Sequence, residues 1–193
     1  MRILKNLILI LSFSSAYFAC AQDPDAPVIT HVSVDHTTQQ VEINWLNSTS
    51  NVVGYIIYFE DISGLWIPLD TVMGITNTNY LTTNANPQIK KETFSVVAFD
   101  SSGNSSVRSE SHSTVFLKFD YQNCDTNLLL FWNSYLNMFG MDGYQLKISR
   151  KDIQSGVVFS DQTIAISDSD TSFYYPIDYS SKYSIWLETI SPI

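Results

Sequence analysis

The chain carries one pattern of strands twice. Val41-Glu42-Ile43-Asn44-Trp45 leads to Gly54-Tyr55-Ile56-Ile57-Tyr58 and then to Phe94-Ser95-Val96-Val97-Ala98. Leu128-Leu129-Leu130-Phe131-Trp132 leads in the same way to Gly143-Tyr144-Gln145-Leu146-Lys147 and Tyr183-Ser184-Ile185-Trp186-Leu187. Trp132 follows Trp45 by 87 residues, while Gly143 follows Gly54, and Tyr183 follows Phe94, by 89. That is the length of one small β-sandwich. No window beyond the N-terminus keeps the i, i+3, i+4, i+7 apolar spacing of a helix over three turns. The fold class read from the sequence is therefore all-β, with two tandem sandwiches over residues 24–117 and 118–193. Trp45, Tyr55 and Phe94 are expected in the first core, and Trp132, Tyr144 and Tyr183 in the second.

Period-two alternation assigns the faces. Val41, Ile43 and Trp45 share one side of their strand, and Tyr55, Ile57 and Phe59 point inward from the opposite sheet, with Ile56 and Tyr58 outward. Leu65 to Leu69 reads as an edge strand, because Pro68 cannot donate into a central ladder. Asp100-Ser101-Ser102-Gly103-Asn104 is a hairpin turn, and His112 to Leu117 is expected to return as the last strand of the first unit. In the second unit strands are expected at Val157–Phe159, Phe173–Tyr175 and Tyr183–Leu187. Ser191-Pro192-Ile193 stands where a closing strand would begin, which leaves an unpaired edge alongside Tyr183 to Thr189. The 193 residues are thus expected to be part of a longer multi-domain product whose second sandwich lacks its last strand.

Arg2 and Lys5, the apolar run Leu7 to Phe13 and the small residues Ala19-Cys20-Ala21 form an export signal over residues 1–21, with cleavage expected before Gln22. Tyr17 and Phe18 weigh against the rival reading, in which Cys20 carries a lipid. The apolar run is too short to span a bilayer, so no stable membrane insertion is expected after cleavage. The formal charge is -9, and without Arg2 and Lys5 it becomes about -11. Such a chain repels phosphate backbones, which argues against nucleic acid as a partner. After cleavage Cys124 is the one cysteine left, so no disulfide can staple the fold within the chain.

These landmarks resemble the fibronectin type III domain, in tandem across nearly all of the mature chain. The tryptophan of the second strand, the Gly-Tyr that opens the third, and Val96-Val97-Ala98-Phe99-Asp100-Ser101-Ser102-Gly103-Asn104 carry the match. The resemblance implies two immunoglobulin-like sandwiches. The family usually places a tyrosine at the corner before the last long strand, its hydroxyl bonded to nearby backbone. Tyr183 keeps it in the second copy. Phe94 stands there in the first, so that bond is expected to be missing, at about 1 kcal/mol.

A narrower similarity joins Gly54 to Tyr58, Trp66 to Val72 and Asn77 to Tyr80 to repeats of large secreted proteins of gliding bacteria. Those proteins usually end in a gliding-motility-associated C-terminal domain that routes them to the surface. Such relatives often carry a cysteine where Ser102 stands, able to pair with one near Cys124. That partner is absent, so the disulfide is not carried over.

Little in the chain points to chemistry. His31, His36 and His112 lie at polar strand ends, are read as surface residues, and share no metal-ligand spacing. There is no Gly-x-Ser-x-Gly elbow and no glycine-rich phosphate loop. Asp23 with Asp25, and Asp168 with Asp170, are carboxylate pairs two apart that a calcium ion could share, although no full ligand series accompanies them. Catalytic, cofactor and metal residues are expected to be none. Asp70-Thr71-Val72 resembles an O-glycosylation acceptor of the same bacterial group, while Asn47-Ser48-Thr49 and Asn104-Ser105-Ser106 match the N-linked sequon.

Recognition falls to outward aromatics. Tyr58, Phe99 and Trp186 on sheet faces and Trp66 on an edge strand can stack on sugar rings or anchor a protein, although packing against a neighbour competes with that role. The expectation is a non-enzymatic, secreted or cell-surface modular protein. Its sandwiches serve as spacers and as protein- or glycan-interaction modules in adhesion or gliding motility. The alternative makes them accessory domains of a secreted polysaccharide-degrading enzyme whose catalytic domain lies outside these residues.

Overall fold

Thirteen strands, all paired antiparallel, follow one another in the computed structural model, which describes residues 23–48, 51–121, 126–137, 140–159 and 161–190. The first seven are β1 (Val28–Val34), β2 (Val41–Leu46), β3 (Val52–Glu60), β4 (Trp66–Met73), β5 (Asn79–Thr82), β6 (Thr93–Asp100) and β7 (His112–Ser113). A sheet in the order β1-β2-β5 packs on one in the order β4-β3-β6-β7. The second set is β8 (Leu117–Asp120), β9 (Asn127–Trp132), β10 (Gly143–Asp152), β11 (Gln162–Ile166), β12 (Ser172–Pro176) and β13 (Ser181–Ile190). Here β12-β9-β8 faces β11-β10-β13, so both units are immunoglobulin-like β-sandwiches with the same strand order. No described helix is long and apolar enough to cross a membrane. The export segment, Cys20 and Cys124 lie outside the described residues, as do Thr49 and residues 191–193.

The two cores repeat down to single hydrogen bonds. Trp45 meets Tyr55 edge-on at 5.3 Å between ring centroids, and Trp132 meets Tyr144 at 5.6 Å. The indoles are 3% and 5% exposed. Tyr55 Oη accepts the amide of Ser48 at 3.1 Å, and Tyr144 Oη accepts that of Tyr135 at 3.0 Å. Neither indole Nε1 finds an acceptor among the described residues. Around these pairs close Val41, Ile43, Ile57, Phe94 and Val96 in one unit, and Leu130, Leu146, Ile148 and Ile166 in the other. Tyr183 is half-buried at the margin of the second cluster.

The third landmark is out of step. Tyr55 pairs with Ala98 across β3 and β6, whereas Tyr144 pairs with Thr189 across β10 and β13. The equivalence there is 91 residues rather than 89, so Ile185 takes the place of Phe94, and Tyr183 that of Glu92. The expected loss of the corner bond is therefore corrected. Tyr183 Oη accepts the amide of Asp178 at 2.8 Å, and the buried Glu92 carboxylate accepts the amide of Asn86, also at 2.8 Å. A carboxylate does in one corner what a phenol does in the other. It is the stronger acceptor, and Lys90 Nζ covers its second oxygen at 3.0 Å.

Three further expectations are revised. Leu117 does not end the first unit but opens β8, where it pairs with Trp132, and Val115 and Leu117 pack into the second core. Residues 157–159 make only an isolated bridge, Lys151 to Val158, and the strand beside β10 is β11. Asp152 explains this: its carboxylate accepts the amides of Gln154 and Ser155, which, with Gly156 at φ +71°, turns the chain early. His112 is not a surface residue, being 4% exposed.

That histidine belongs to the joint between the sandwiches. Tyr135, on the turn after β9, reaches across to edge strand β1. There its hydroxyl accepts the Val32 amide at 2.5 Å and donates to the Val32 carbonyl at 3.3 Å. Its ring meets the His112 ring edge-on at 5.8 Å. Asn133 and Asn137 bond to the connecting backbone at Thr114, Phe116 and Ser111. Burial pushes the Tyr135 hydroxyl up to about 12, so it stays protonated and keeps both bonds.

Burial first, and the charge of His31 second, hold His112 below its ordinary 6.5. The folded chain therefore binds fewer protons than the unfolded one once the pH falls below 6.5. This contribution to stability is complete above 6.5 and is lost as the pH falls toward the lowered folded value. Melting in mild acid should show a falling midpoint in the natural chain and a flatter one in His112→Gln. Equal slopes would reject the assignment. The turn carboxylates of Asp35, Asp61, Asp100, Asp152 and Asp178 are lowered by hydrogen bonds from the turns they cap, so their loss follows only below 3.8.

Candidate interaction surface

The outer face of the β4-β3-β6 sheet is apolar where an ordinary sandwich face is polar. Register places its side chains in cross-strand rows: Phe99 beside Gly54 and Met73, Val97 beside Ile56 and Thr71, and Ser95 beside Tyr58 and Pro68. Trp66 opposes Glu60 at the end of the same face. The run Phe99, Val97, Ile56, Tyr58 and Pro68 thus crosses the sheet and continues to Trp66.

Two local devices make this face. Gly54 lets the Phe99 ring lie flat over the strand, since a Cβ there would stand 2.8 Å from Phe99 Cζ. The β3–β4 ladder slips between Ile57 and Tyr58, and Pro68 sits at that irregularity, where the missing N–H leaves no bond unmade. Arg108 comes from the segment that runs along the far side of β6, and its guanidinium reaches across the face to lie 4.7 Å from the centre of the Trp66 ring. Trp66 and Tyr58 are half-buried, while Met73 is 60% exposed.

Three of the four sequence-selected aromatics, Tyr58, Trp66 and Phe99, therefore share one surface. The fourth does not. Trp186 lies on the outer face of β13 in the other sandwich, stacked on His36 at 5.5 Å and 5° between planes, with its Nε1 donating to Glu188 at 3.2 Å. It serves the packing of one sandwich beside the other. Arg108 was missed because it sits in a serine-rich stretch, far in sequence from Trp66. Tyr135 and Glu92 were missed because neither falls on an alternating strand.

The other candidates fall elsewhere. Asp168 and Asp170 lie in the exposed β11–β12 turn, where Ser167 Oγ bonds Asp168 at 3.1 Å, and Asp23 and Asp25 precede β1. Among the described residues no three His, Cys, Asp or Glu side chains gather as metal ligands. Thr71 and Asn104 are on the surface or near it, Asn104 being bonded to Asp100 across the turn.

The strand order decides the fold. The order of three strands over four, β1-β2-β5 on β4-β3-β6-β7, recurs in the six strands described for the second unit. The chain has a fibronectin type III-like fold. No family model matches it, and no curated protein matches it. Among solved structures it is similar to a Fn3-like protein from Clostridium thermocellum, at 20% identity and a TM-score of 0.42, over 52% of this chain and 100% of that one.

Proposed function

We propose that this chain is a non-enzymatic, exported interaction and spacer module that binds a surface glycan or protein through the outer face of β4-β3-β6. One observation carries the reading: Tyr58, Phe99 and Trp66 stand on one sheet face around the buried Val97, with the Arg108 guanidinium stacked on the Trp66 ring. Flat rings side by side accept the apolar faces of sugar rings or of a partner's aromatic anchors. The guanidinium supplies hydrogen bonds at the rim, the residue types that dominate binding hot spots. The joint at Tyr135 holds this face at a fixed attitude to the second sandwich, which suits a spacer. The basic and then apolar N-terminal segment supports export, and the resemblance to repeats of gliding bacteria supports adhesion or motility as the setting. Aromatic stacking on sugars serves equally an accessory domain of a polysaccharide-degrading enzyme.

Trp66→Ala and Tyr58→Ala should each weaken retention on immobilised polysaccharides or cell-surface extracts by about thirtyfold, the effect of a hot-spot residue of about 2 kcal/mol. Trp186→Ala should leave retention unchanged. Unaltered retention in both face variants, with melting transitions like that of the natural chain, would remove this surface from consideration.

A further inference from the structure

Both arginines among the described residues lie over an aromatic ring, and only one of them is closed by an acid. The Arg150 guanidinium stands 3.9 Å from the centre of the Phe159 ring, and its Nη1 donates to Asp178 Oδ2 at 3.1 Å. The Arg108 guanidinium, 4.7 Å from the centre of the Trp66 ring, pairs with no carboxylate among the described residues. The chain has 19 acidic side chains against 10 basic ones, so this does not come from a shortage of acids. Glu60, opposite Trp66 in register, directs its carboxylate to the β3–β4 turn, with Oε1 3.8 Å from where a Cβ on Gly64 would stand. Asp61 beside it is taken up by Ser63 and Leu65.

Arg108 is also held in place, because the segment that follows β6 lies along the open side of that strand. The amides of Ser106, Ser109 and Thr114 donate to the carbonyls of Ala98, Val96 and Glu92, each at 2.9 Å. The hydroxyls of the same three residues accept the amides of the same three partners at 2.9 to 3.0 Å. The anchors on either side of Val107 and Arg108 are thus doubled, and the two residues between them project outward, Val107 being 78% exposed.

We propose that the outer face of β4-β3-β6 takes a carboxylated glycan, with a uronic-acid ring laid on the aromatic side chains and its carboxylate on the Arg108 guanidinium. This rests on the reading of that face as the interaction surface and adds the charge of what binds there. Stacking fixes the chemistry. With one side of its plane on the indole, the guanidinium donates within that plane, and a carboxylate is flat and accepts two parallel N–H bonds. Asp178 makes such a charged contact to the other stacked arginine. One carboxylate per ring matches one guanidinium, whereas a densely sulfated chain meets the repulsion of a protein at -9. A sugar also fits better than an acidic peptide. The main-chain groups of β3 are spent within the sheet, so an extended peptide finds no strand to pair with on this face. The apolar side of a sugar ring needs only a flat partner such as Tyr58 or Phe99.

The test compares one sugar ring with and without its charge. Oligogalacturonate and oligomannuronate are titrated into the full chain by calorimetry, each beside its methyl ester, which keeps the ring and removes the anion. At least one acid should bind about tenfold or more tighter than its ester, the scale of a charge-assisted hydrogen bond. That preference should shrink as salt is raised. Arg108→Gln should bring the acid down to the level of the ester. Arg108→Lys should recover part of the difference, because the charge returns without the planar fork. Tyr58→Ala should weaken acid and ester by the same factor, which reads the aromatic face apart from the cation. Should an Arg108 variant fold poorly, the preference for acid over ester and its salt dependence in the natural chain decide. Equal binding of acid and ester, or a preference that survives Arg108→Gln, would overturn the proposal, while a loss in Tyr58→Ala would still uphold the face itself. Binding of neither acid, or tighter binding of dextran sulfate or of polyglutamate, would overturn it as well.

Discussion

Tyr135→Ala is expected to separate the melting of the two sandwiches and to reduce stability by about 4 kcal/mol, the usual loss for an aromatic ring cut back to a methyl group in a buried site. The ring is buried between the units and packs on His112, so its removal opens a cavity that neither core can close. Loss of the hydroxyl adds a second penalty, because the Val32 amide and carbonyl on the open side of β1 have no other partner among the described residues. Tyr135→Phe isolates that part and should cost about 1 to 3 kcal/mol. Calorimetry distinguishes the outcomes. The natural chain should melt in one cooperative transition and Tyr135→Ala in two. A single unshifted transition in the alanine variant would mean that the sandwiches do not support each other through this contact.

Gly143→Ala should destabilise the second sandwich by about 3 kcal/mol, an effect of a backbone position rather than of a lost contact. Gly143 opens β10 at φ +142°, a conformation that side chains with a Cβ avoid. An added Cβ would also press on the carbonyl oxygen of Ile166, which belongs to the neighbouring strand and cannot swing aside. Gly54→Ala tests the same place in the first copy. There the obstacles are Val72 O at 2.7 Å and Phe99 Cζ at 2.8 Å, but φ is ordinary, so the loss should be smaller, about 2 kcal/mol. Urea titration monitored by tryptophan fluorescence measures both. A Gly143→Ala variant within about 0.5 kcal/mol of the natural chain, the range of a neutral surface change, would show that β10 and β11 can part there at little cost.

Sequence reasoning read the sandwich class and the buried indoles because each depends on period-two alternation, which is local. It placed Tyr58, Trp66 and Phe99 on the surface for the same reason, but gave no account of how they lie together. That depends on the register of β3 against β4 and β6, and a ladder irregularity at Pro68 decides it. The slip from 89 to 91 residues at β13 was invisible for a related cause. Tyr183 and Phe94 look alike in a string of letters, whereas cross-strand partners fix which residue occupies a position. Glu92 escaped notice because nothing in composition marks a carboxylate as the substitute for a phenol. His112 was misplaced because its burial comes from a ring on the other sandwich, 23 residues further along the chain.

Residues 101–114 hold eight serines or threonines among charged and small neighbours, a composition that reads as a pliant tether. Three of these hydroxyls stand in for the carbonyls of a missing regular strand, each gripping the amide whose own carbonyl its backbone already holds. The stretch is thus a latch. Alanine at 106, 109 or 114 would keep the shape of the chain and still strand a buried donor, a loss of about 1 to 3 kcal/mol at each place.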